Sequence, residues 1–266
     1  MKKEDYMYFC SWFEDYLSSF HTNDNYIDLN IRLKKEHTYG VCRNVVMIGK
    51  QLGMDKNQLM LAETTALFHD LGRFEQMKMH RTLKDNLSFD HAEQAVKLLD
   101  KKKVLKNLSK EEQEIVFKAI KNHSTLKINE EPGRCLFYIK LLRDADKLTI
   151  LPDLIGYYEK QIHDNPAMEF ELPDLKGYSE NVVKEVLNYG LVNKKNLNEY
   201  NDLMLYLLSW IYDINFWPSF CYIKKNKYID RLIELLPQTE DIKAVRRHFD
   251  EYLEKMSEGD FDSMQN

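Results

Sequence analysis

The chain has 266 residues, a net charge of −5 with charges of both signs interspersed, and only 9 glycines and 6 prolines. This charge provides no broad cationic surface for long nucleic acids or anionic membranes, no apolar run is long enough to cross a bilayer, and the first residues do not resemble a signal peptide. Strand-like alternation is scarce, which predicts an all-α protein. Four cysteines lie far apart without a CxxC pair, an arrangement typical of free thiols in a reducing cytoplasm.

The first 72 residues carry the periodicity of three helices. Aromatic and apolar residues at three- and four-residue spacing form the stripe of the first helix. Gly53 is expected to close the second helix, and Asp55 to cap the third. The chain reversal after the third helix is predicted at Gly72, with a positive φ. The three helices are predicted over residues 4–20, about 29–52 and 57–70.

Capping signals mark the beginnings of later helices. Asp90 followed by Glu93 resembles a capping box, and so does Ser109 followed by Glu112. Pro132 with the glycine after it indicates a break before the next helix. Helices are predicted over residues 91–101, 110–123, 134–151, 179–190, 196–216, 227–236 and 239–256.

Two domains are predicted from this pattern. Residues 1–160 are expected to form a metal-binding helical domain, and residues 161–266 a C-terminal helical extension packed on it. The segment 163–177 contains two prolines and several acids and is predicted to be a loop. The apolar stretch 203–220 is expected to lie in the core or between helices, with a homodimer interface as the alternative.

Histidines and aspartates recur among apolar neighbours on different predicted helices. Unpaired imidazoles and carboxylates on a buried stripe cost several kcal/mol. Ligands from facing helices converge in the core of a bundle, and a divalent cation accepts imidazole nitrogen and carboxylate oxygen together. The pattern therefore predicts a metal site. The candidate positions are His37, His69, Asp70, His91, His123 and the pair Asp144 and Asp146.

A histidine and an aspartate are adjacent in LFHDLGRFEQ, at the end of the third predicted helix. Successive residues of a helix point about 100° apart, so His69 and Asp70 do not share a face, but they can flank one cleft. Because a carboxylate has two oxygens, Asp70 can bridge two ions, which a histidine cannot.

The ordered set of residues resembles the HD-domain metal-dependent phosphohydrolases, in particular the six-ligand members that bind two metals. The similarity covers roughly residues 33–151, and HDLGR together with RDADKL carries it. The resemblance implies an α-helical bundle around a buried metal site and hydrolysis of a phosphate ester or anhydride. It also implies one ion held by His37, His69, Asp70 and Asp146, and a second held by Asp70, His91 and His123.

The resemblance also selects between the two aspartates of RDADKL. The aspartate that precedes a basic residue is the ligand in the family, which implies Asp146. Asp144 is then expected to pair with Arg143 or to orient a ligand histidine. Arg73 and Lys147 are expected to contact phosphate near the mouth of the site.

The leading functional hypothesis is a phosphohydrolase that acts on a small phosphorylated metabolite or nucleotide, in which the site supplies a water nucleophile at neutral pH. One alternative is a di-iron oxygenase of the same helical family, and another is a non-catalytic metal-binding sensor. Ligand types do not distinguish Mn, Fe, Zn, Ni, Co and Mg. His80 competes for one ligand position but is expected to be exposed or to face substrate.

Overall fold

A computed structural model describes residues 1–128, 131, 133–160, 165–168, 170, 172–173 and 176–257. The all-α prediction is confirmed, since these residues form helices and connecting segments and contain no β-strand. Within them the α-helices are α1 (Lys3–Ser18), α2 (Asn25–Gln51), α3 (Lys56–Phe68), α4 (Leu71–His80), α5 (His91–Lys101), α6 (Lys110–Asn122), α7 (Gly133–Glu159), α8 (Glu180–Leu187), α9 (Tyr200–Ser209), α10 (Trp217–Lys225), α11 (Tyr228–Glu234) and α12 (Glu240–Lys255).

The chain divides into two compact units, Met1–Thr149 and Ile150–Asn266, and the division falls within α7. The predicted domains, 1–160 and 161–266, place their boundary at the end of the same helix and stay a prediction. None of the helices in the described ranges combines the length and hydropathy that a bilayer crossing requires.

The first unit is a helical bundle, and several of its helices begin at caps that the sequence predicts. The Asp55 carboxylate accepts hydrogen bonds from two backbone N–H groups at the start of α3, and Ser109 with Glu112 forms a complete capping box on α6. In the bundle, α2 packs along α3, α3 against α6, and α4 against α5. Phe9 on α1 is fully buried. Its ring packs edge to face against that of Phe68, with 5.7 Å between the ring centroids.

The predicted reversal at Gly72 is wrong. The chain turns at His69 and Asp70 instead, and Gly72 lies inside the short helix α4, which the sequence pattern did not predict. A glycine is needed at position 72 because α4 lies close to the backbone of His91. A Cβ atom here would lie 2.2 Å from the backbone oxygen of His91. By contrast, Gly53 does have a positive φ, 75°, just after the end of α2.

Helix α7 is longer than the sequence predicts. It continues through Pro152 to Glu159, although proline removes one backbone hydrogen bond within the helix.

Two predicted features lie outside the described residues, wholly or in large part. Pro132 is not described, and the predicted loop over 163–177 is described only at 165–168, 170, 172–173 and 176–177.

The second unit contains α8 to α12, and its core is built largely from α9. Every residue of α9 from Asp202 to Ser209 is buried, so most of the apolar stretch 203–220 lies in the core of this unit. The predicted helix over 196–216 begins at Tyr200 and ends in a 3₁₀ turn, Trp210–Asp213. Helix α10 was not predicted, because Pro218 in its first turn reads as a break in the sequence but is well tolerated there.

Candidate metal centre

The six predicted ligands come from six helices or helix ends of the first unit and meet in one buried cluster, which we call the His/Asp cluster. His37 lies within α2, and His69 caps the C-terminal end of α3. Asp70 immediately precedes α4, and His91 is the first residue of α5. His123 caps the end of α6, and Asp146 lies within α7.

Asp70 divides its two carboxylate oxygens between two pairs of histidines. Oδ2 lies 3.8 Å from Nε2 of His37 and 3.5 Å from Nε2 of His69. Oδ1 lies 3.5 Å from Nε2 of His91 and 3.8 Å from Nε2 of His123. The carboxylate therefore stands between two groups of donors, as a bridging ligand does.

Asp146 completes the side of the cluster that contains His37. Its Oδ1 lies 3.0 Å from Nε2 of His37 and 3.9 Å from Nε2 of His69. Three sets of donor atoms are close enough to hold a common ion, with all atoms of a set within 4.8 Å of one another. These sets are His37, His69 and Asp70; His69, His123 and Asp146; and Asp70, His91 and His123.

Two of the histidines are oriented by the helices that they terminate. Nδ1 of His69 lies 2.7 Å from the carbonyl oxygen of Ala66, and Nδ1 of His123 lies 2.6 Å from that of Ile120. Carbonyl groups in the last turn of a helix lack partners within the helix. Because a carbonyl only accepts, Nδ1 carries the proton in both rings, and each Nε2 presents a lone pair to the cluster.

His91 is oriented by a carboxylate. Its Nδ1 lies 2.9 Å from Oδ2 of Asp85 and 3.0 Å from Oδ1, so Nδ1 donates and Nε2 is left with a lone pair. Nε2 of His91 and Nε2 of His123 face each other at 3.2 Å. Two neutral rings in these tautomers repel each other at that distance, and a cation between them or beside them removes the repulsion.

A divalent metal ion fits this donor set. Nε2 of His37 and Oδ1 of Asp146 are buried and face each other without the geometry of a hydrogen bond. Neither atom, nor the buried Nε2 of His69, has a hydrogen-bond partner among the described residues. Buried polar atoms without partners are rare in folded proteins because each costs its full desolvation energy. Imidazole nitrogen with carboxylate oxygen is a donor combination that suits first-row divalent metals.

Burial and charge favour the protonation states that bind metal. Burial lowers the pKa of His37 and His91, and it lowers the pKa of His123 to about 3, so these rings are neutral at pH 7. Burial opposes ionisation of Asp70, but the neighbouring ammonium of Lys34 and other positive groups hold its pKa well below the usual value. The pKa of Asp146 is also lowered, because His37 outweighs the effect of burial.

The comparisons with known proteins agree with this geometry. The family model described as HD domain matches residues 35–151, the segment that contains all six residues of the cluster. Residues 35–151 form an HD domain. Members of this superfamily are mostly metal-dependent hydrolases and bind divalent metals. Neither a curated protein nor a solved structure gives a significant match to the chain.

Two further charged residues, one just before the HD domain and one within it, contact the cluster but were not predicted from the sequence. Nζ of Lys34 lies 2.9 Å from Oδ2 of Asp70, and the Lys34 side chain is 20% exposed. Lys34 precedes His37 by three residues on α2, and this helical spacing was the available signal. Asp85 lies in a short 3₁₀ turn between α4 and α5, where no periodicity marks it.

The residues predicted to contact phosphate lie at the HD domain's cluster or beside it. Nε of Arg73 is 3.7 Å from Oδ1 of Asp70 and has no hydrogen-bond partner in the described part of the chain. One terminal nitrogen of Arg73 donates to Gln76, to the backbone oxygen of Leu83 and to Asp85. Lys147 is buried on α7, so an exposed position at the mouth of the site is not observed, and its contact with phosphate stays a prediction.

The RDADKL segment contributes to the HD domain through its arginine as well. Asp144 is fully buried. Arg143 donates from one terminal nitrogen to the backbone oxygens of Asn122, His123 and Thr125. Arg143 thereby ties α7 to the end of α6, where His123 lies. The arginine fixes the position of one predicted ligand relative to Asp146.

Proposed function

We propose that the HD domain is a metal-dependent phosphohydrolase that acts on a small phosphorylated metabolite or nucleotide and uses two divalent ions. The observation that carries this proposal is the division of the Asp70 oxygens between two histidine pairs, His37 with His69 and His91 with His123. A carboxylate between two imidazole pairs can bridge two ions, and paired divalent ions are a recurrent means of hydrolysing phosphate esters.

In this proposal His37, His69, Asp70 and Asp146 hold one ion, and Asp70, His91 and His123 hold the other. When bound, the ions supply a water nucleophile at neutral pH and offset negative charge on the phosphoryl oxygens. The protein's part is to hold the histidine Nε2 atoms and the carboxylate oxygens in place before substrate arrives. Buried helix ends achieve this because their side chains are restrained by packing.

Positive side chains beside the cluster support an anionic substrate. Lys34 is partly exposed and contacts Asp70, and Arg73 has a buried Nε directed within 3.7 Å of the same carboxylate. A phosphoryl group that approaches Asp70 therefore meets an ammonium and a guanidinium, both of which form strong charge-assisted hydrogen bonds with phosphate oxygens. A neutral organic substrate would not form charge-assisted hydrogen bonds of this strength with the two side chains.

The proposal is tested by metal analysis together with a phosphate-release screen on wild type and Asp70→Ala. We expect wild type to contain up to two divalent ions per chain and to release phosphate from at least one small phosphorylated compound. Asp70→Ala is expected to lose metal and activity while it keeps the helical content of wild type by circular dichroism. Asp100→Ala is the matched control, because Asp100 is exposed on α5 and pairs with Lys103 outside the cluster.

Two outcomes would contradict the proposal. Phosphate release by Asp70→Ala at the wild-type rate would remove the bridging carboxylate from the chemistry. Oxygen consumption by an iron-loaded protein without any phosphate release would favour the oxygenase reaction over hydrolysis. Both measurements are made on the full chain, loaded separately with Mn²⁺ and with Fe²⁺.

A further inference from the structure

His91 differs from the other oriented histidines of the cluster in the group that holds its Nδ1. His69 and His123 each end a helix and donate to a carbonyl of the last turn. His91 begins α5, where the backbone offers unpaired N–H groups instead of carbonyls. An Nδ1–H donor at that end of a helix needs an acceptor from elsewhere in the chain, and Asp85 is that acceptor.

Asp85 is itself held in place by two side chains of α4. Its Oδ1 accepts hydrogen bonds from Arg73 at 2.7 Å and from Gln76 at 3.0 Å. The fully buried Gln76 also donates to Ser88 Oγ and to the backbone oxygen of Phe89, which fixes the segment that leads into α5. Because Arg73 and Gln76 belong to the helix that follows Asp70, the Asp85 carboxylate is positioned relative to the bridging ligand.

We propose that Asp85 is a positioning residue that selectively supports the second ion, the one assigned to Asp70, His91 and His123. It does so by keeping the proton of His91 on Nδ1 and the lone pair on Nε2, directed at the cluster. This inference rests on the two-ion site of the proposed function. Carboxylates that accept a hydrogen bond from a ligand histidine fix its ring and increase its basicity, and their loss costs about 10–100-fold in metal affinity.

The effect is confined to one ion because the contacts of Asp85 are confined to one side of the cluster. Asp85 contacts His91, Arg73 and Gln76. The donors assigned to the first ion alone are positioned by α2, the end of α3 and α7, and they are His37, His69 and Asp146. Removal of Asp85 is therefore expected to affect the second ion more than the first, which shares only Asp70 with it.

The test is a Mn²⁺ titration of the full-length, metal-free chain by calorimetry, with the spin-coupled signal of a Mn²⁺ pair followed by electron paramagnetic resonance. We expect wild type to bind two ions. Asp85→Ala is expected to raise the dissociation constant of the second ion roughly 10–100-fold and to change that of the first less than about twofold. Asp85→Asn is expected to retain part of the second affinity, because an amide oxygen still accepts the Nδ1–H bond.

Asp90→Ala is the matched control. Asp90 lies on the same segment and caps α5 by accepting a hydrogen bond from the backbone N–H of Glu93. Its loss removes this cap from the start of α5 without removing the acceptor of His91. Asp90→Ala is expected to bind both ions with wild-type constants, which separates orientation of the ring from general stability of the segment.

Several results would overturn the inference. These are a single Mn²⁺ ion in wild type, equal weakening of both ions in Asp85→Ala, an unchanged second ion in Asp85→Ala, or loss of the second ion in Asp90→Ala. If Asp85→Ala does not fold, the Asp85→Asn titration decides on the same criteria. The proposed hydrolysis fails separately: a chain that binds two ions with the expected Asp85 dependence but releases no phosphate refutes the activity alone.

Discussion

At the scale of single residues, the cluster already contains one cation. The Lys34 ammonium lies 2.9 Å from Oδ2 of Asp70, the oxygen that faces His37 and His69. It compensates part of the negative charge of the buried Asp70 carboxylate. Without a partner, a buried charge of this kind costs several kcal/mol. In the proposed function, metal ions take over that role, and the 20% exposed lysine would then be free to bind a phosphate oxygen.

This gives a prediction for Lys34→Met. In the metal-loaded protein the catalytic efficiency on a phosphorylated substrate should fall roughly 10–100-fold, because a hydrogen bond to a charged group contributes about 1.5–3 kcal/mol. Metal content should not change. Steady-state kinetics with elemental analysis measures both quantities.

The neighbouring Lys35→Met is the control for that measurement. Lys35 is 39% exposed and pairs with Glu14, away from the cluster, so its loss should leave kinetics and metal content at wild-type values. Loss of metal from Lys34→Met would contradict the assignment, since it would mean that the lysine acts on metal binding and not on the substrate.

At the scale of helices, the ends carry much of the site. His69 and His123 end α3 and α6, His91 begins α5, and Asp70 precedes α4. Caps and apolar periodicity allowed most of these helices to be predicted from the sequence, and the order of histidines and aspartates identified the residues that meet. Asp85 was missed because its role depends on α4 bringing Arg73 and Gln76 beside it. The sequence pattern gave no sign of α4, since Gly72 reads as a break.

The contact between α4 and α5 can be tested at Gly72. A Cβ atom there would lie 2.2 Å from the backbone oxygen of His91. Gly72→Ala must therefore push the start of α5 away, and we expect a loss of about 1–3 kcal/mol in the free energy of unfolding. Binding of the second Mn²⁺ ion should weaken as well, because His91 moves with the backbone.

Gly156→Ala provides the comparison for that measurement. Gly156 lies in α7, and apart from the adjacent residues and the backbone of its own helix no atom lies within 4 Å of the added methyl group. There the substitution should be neutral or should stabilise the helix by about 0.5–1 kcal/mol. Urea denaturation of both variants gives the two values, and a wild-type free energy of unfolding for Gly72→Ala would show that α4 and α5 adjust without strain.

At the scale of the whole molecule, the cluster couples distant parts of the sequence. Its members span residues 37 to 146 and come from separate helices, so the unfolded chain has no preformed site. Local patterns could not show the distances between these residues, because six helices have to pack before the donors meet. Metal binding is consequently linked to folding of the first unit, and an ion that binds only the folded chain stabilises it.

The same linkage predicts how the metal-free protein responds to acid. Burial lowers the folded-state pKa of His37 and His91, and that of His123 to about 3, against an ordinary value of about 6.5. Below pH 6.5 the unfolded chain takes up protons that the folded chain does not, so the free energy of unfolding decreases as the pH falls. Asp70 and Asp146, with lowered pKa values, act in the same direction at more acidic pH.

Between pH 7.5 and pH 5.5, His123 alone should account for a loss of about 1.4 kcal/mol, which is the linkage for one proton taken up across its unfolded-state pKa. Urea denaturation in the presence of chelator measures the loss. His123→Asn should show a smaller decrease over this range, because it removes one group that resists protonation. His21→Asn, at an exposed position outside the cluster, should decrease as wild type does. Equal decreases in all three proteins would mean that the imidazole of His123 takes up a proton in the folded, metal-free state as it does in the unfolded chain. Burial among the other three histidines would then not lower its pKa.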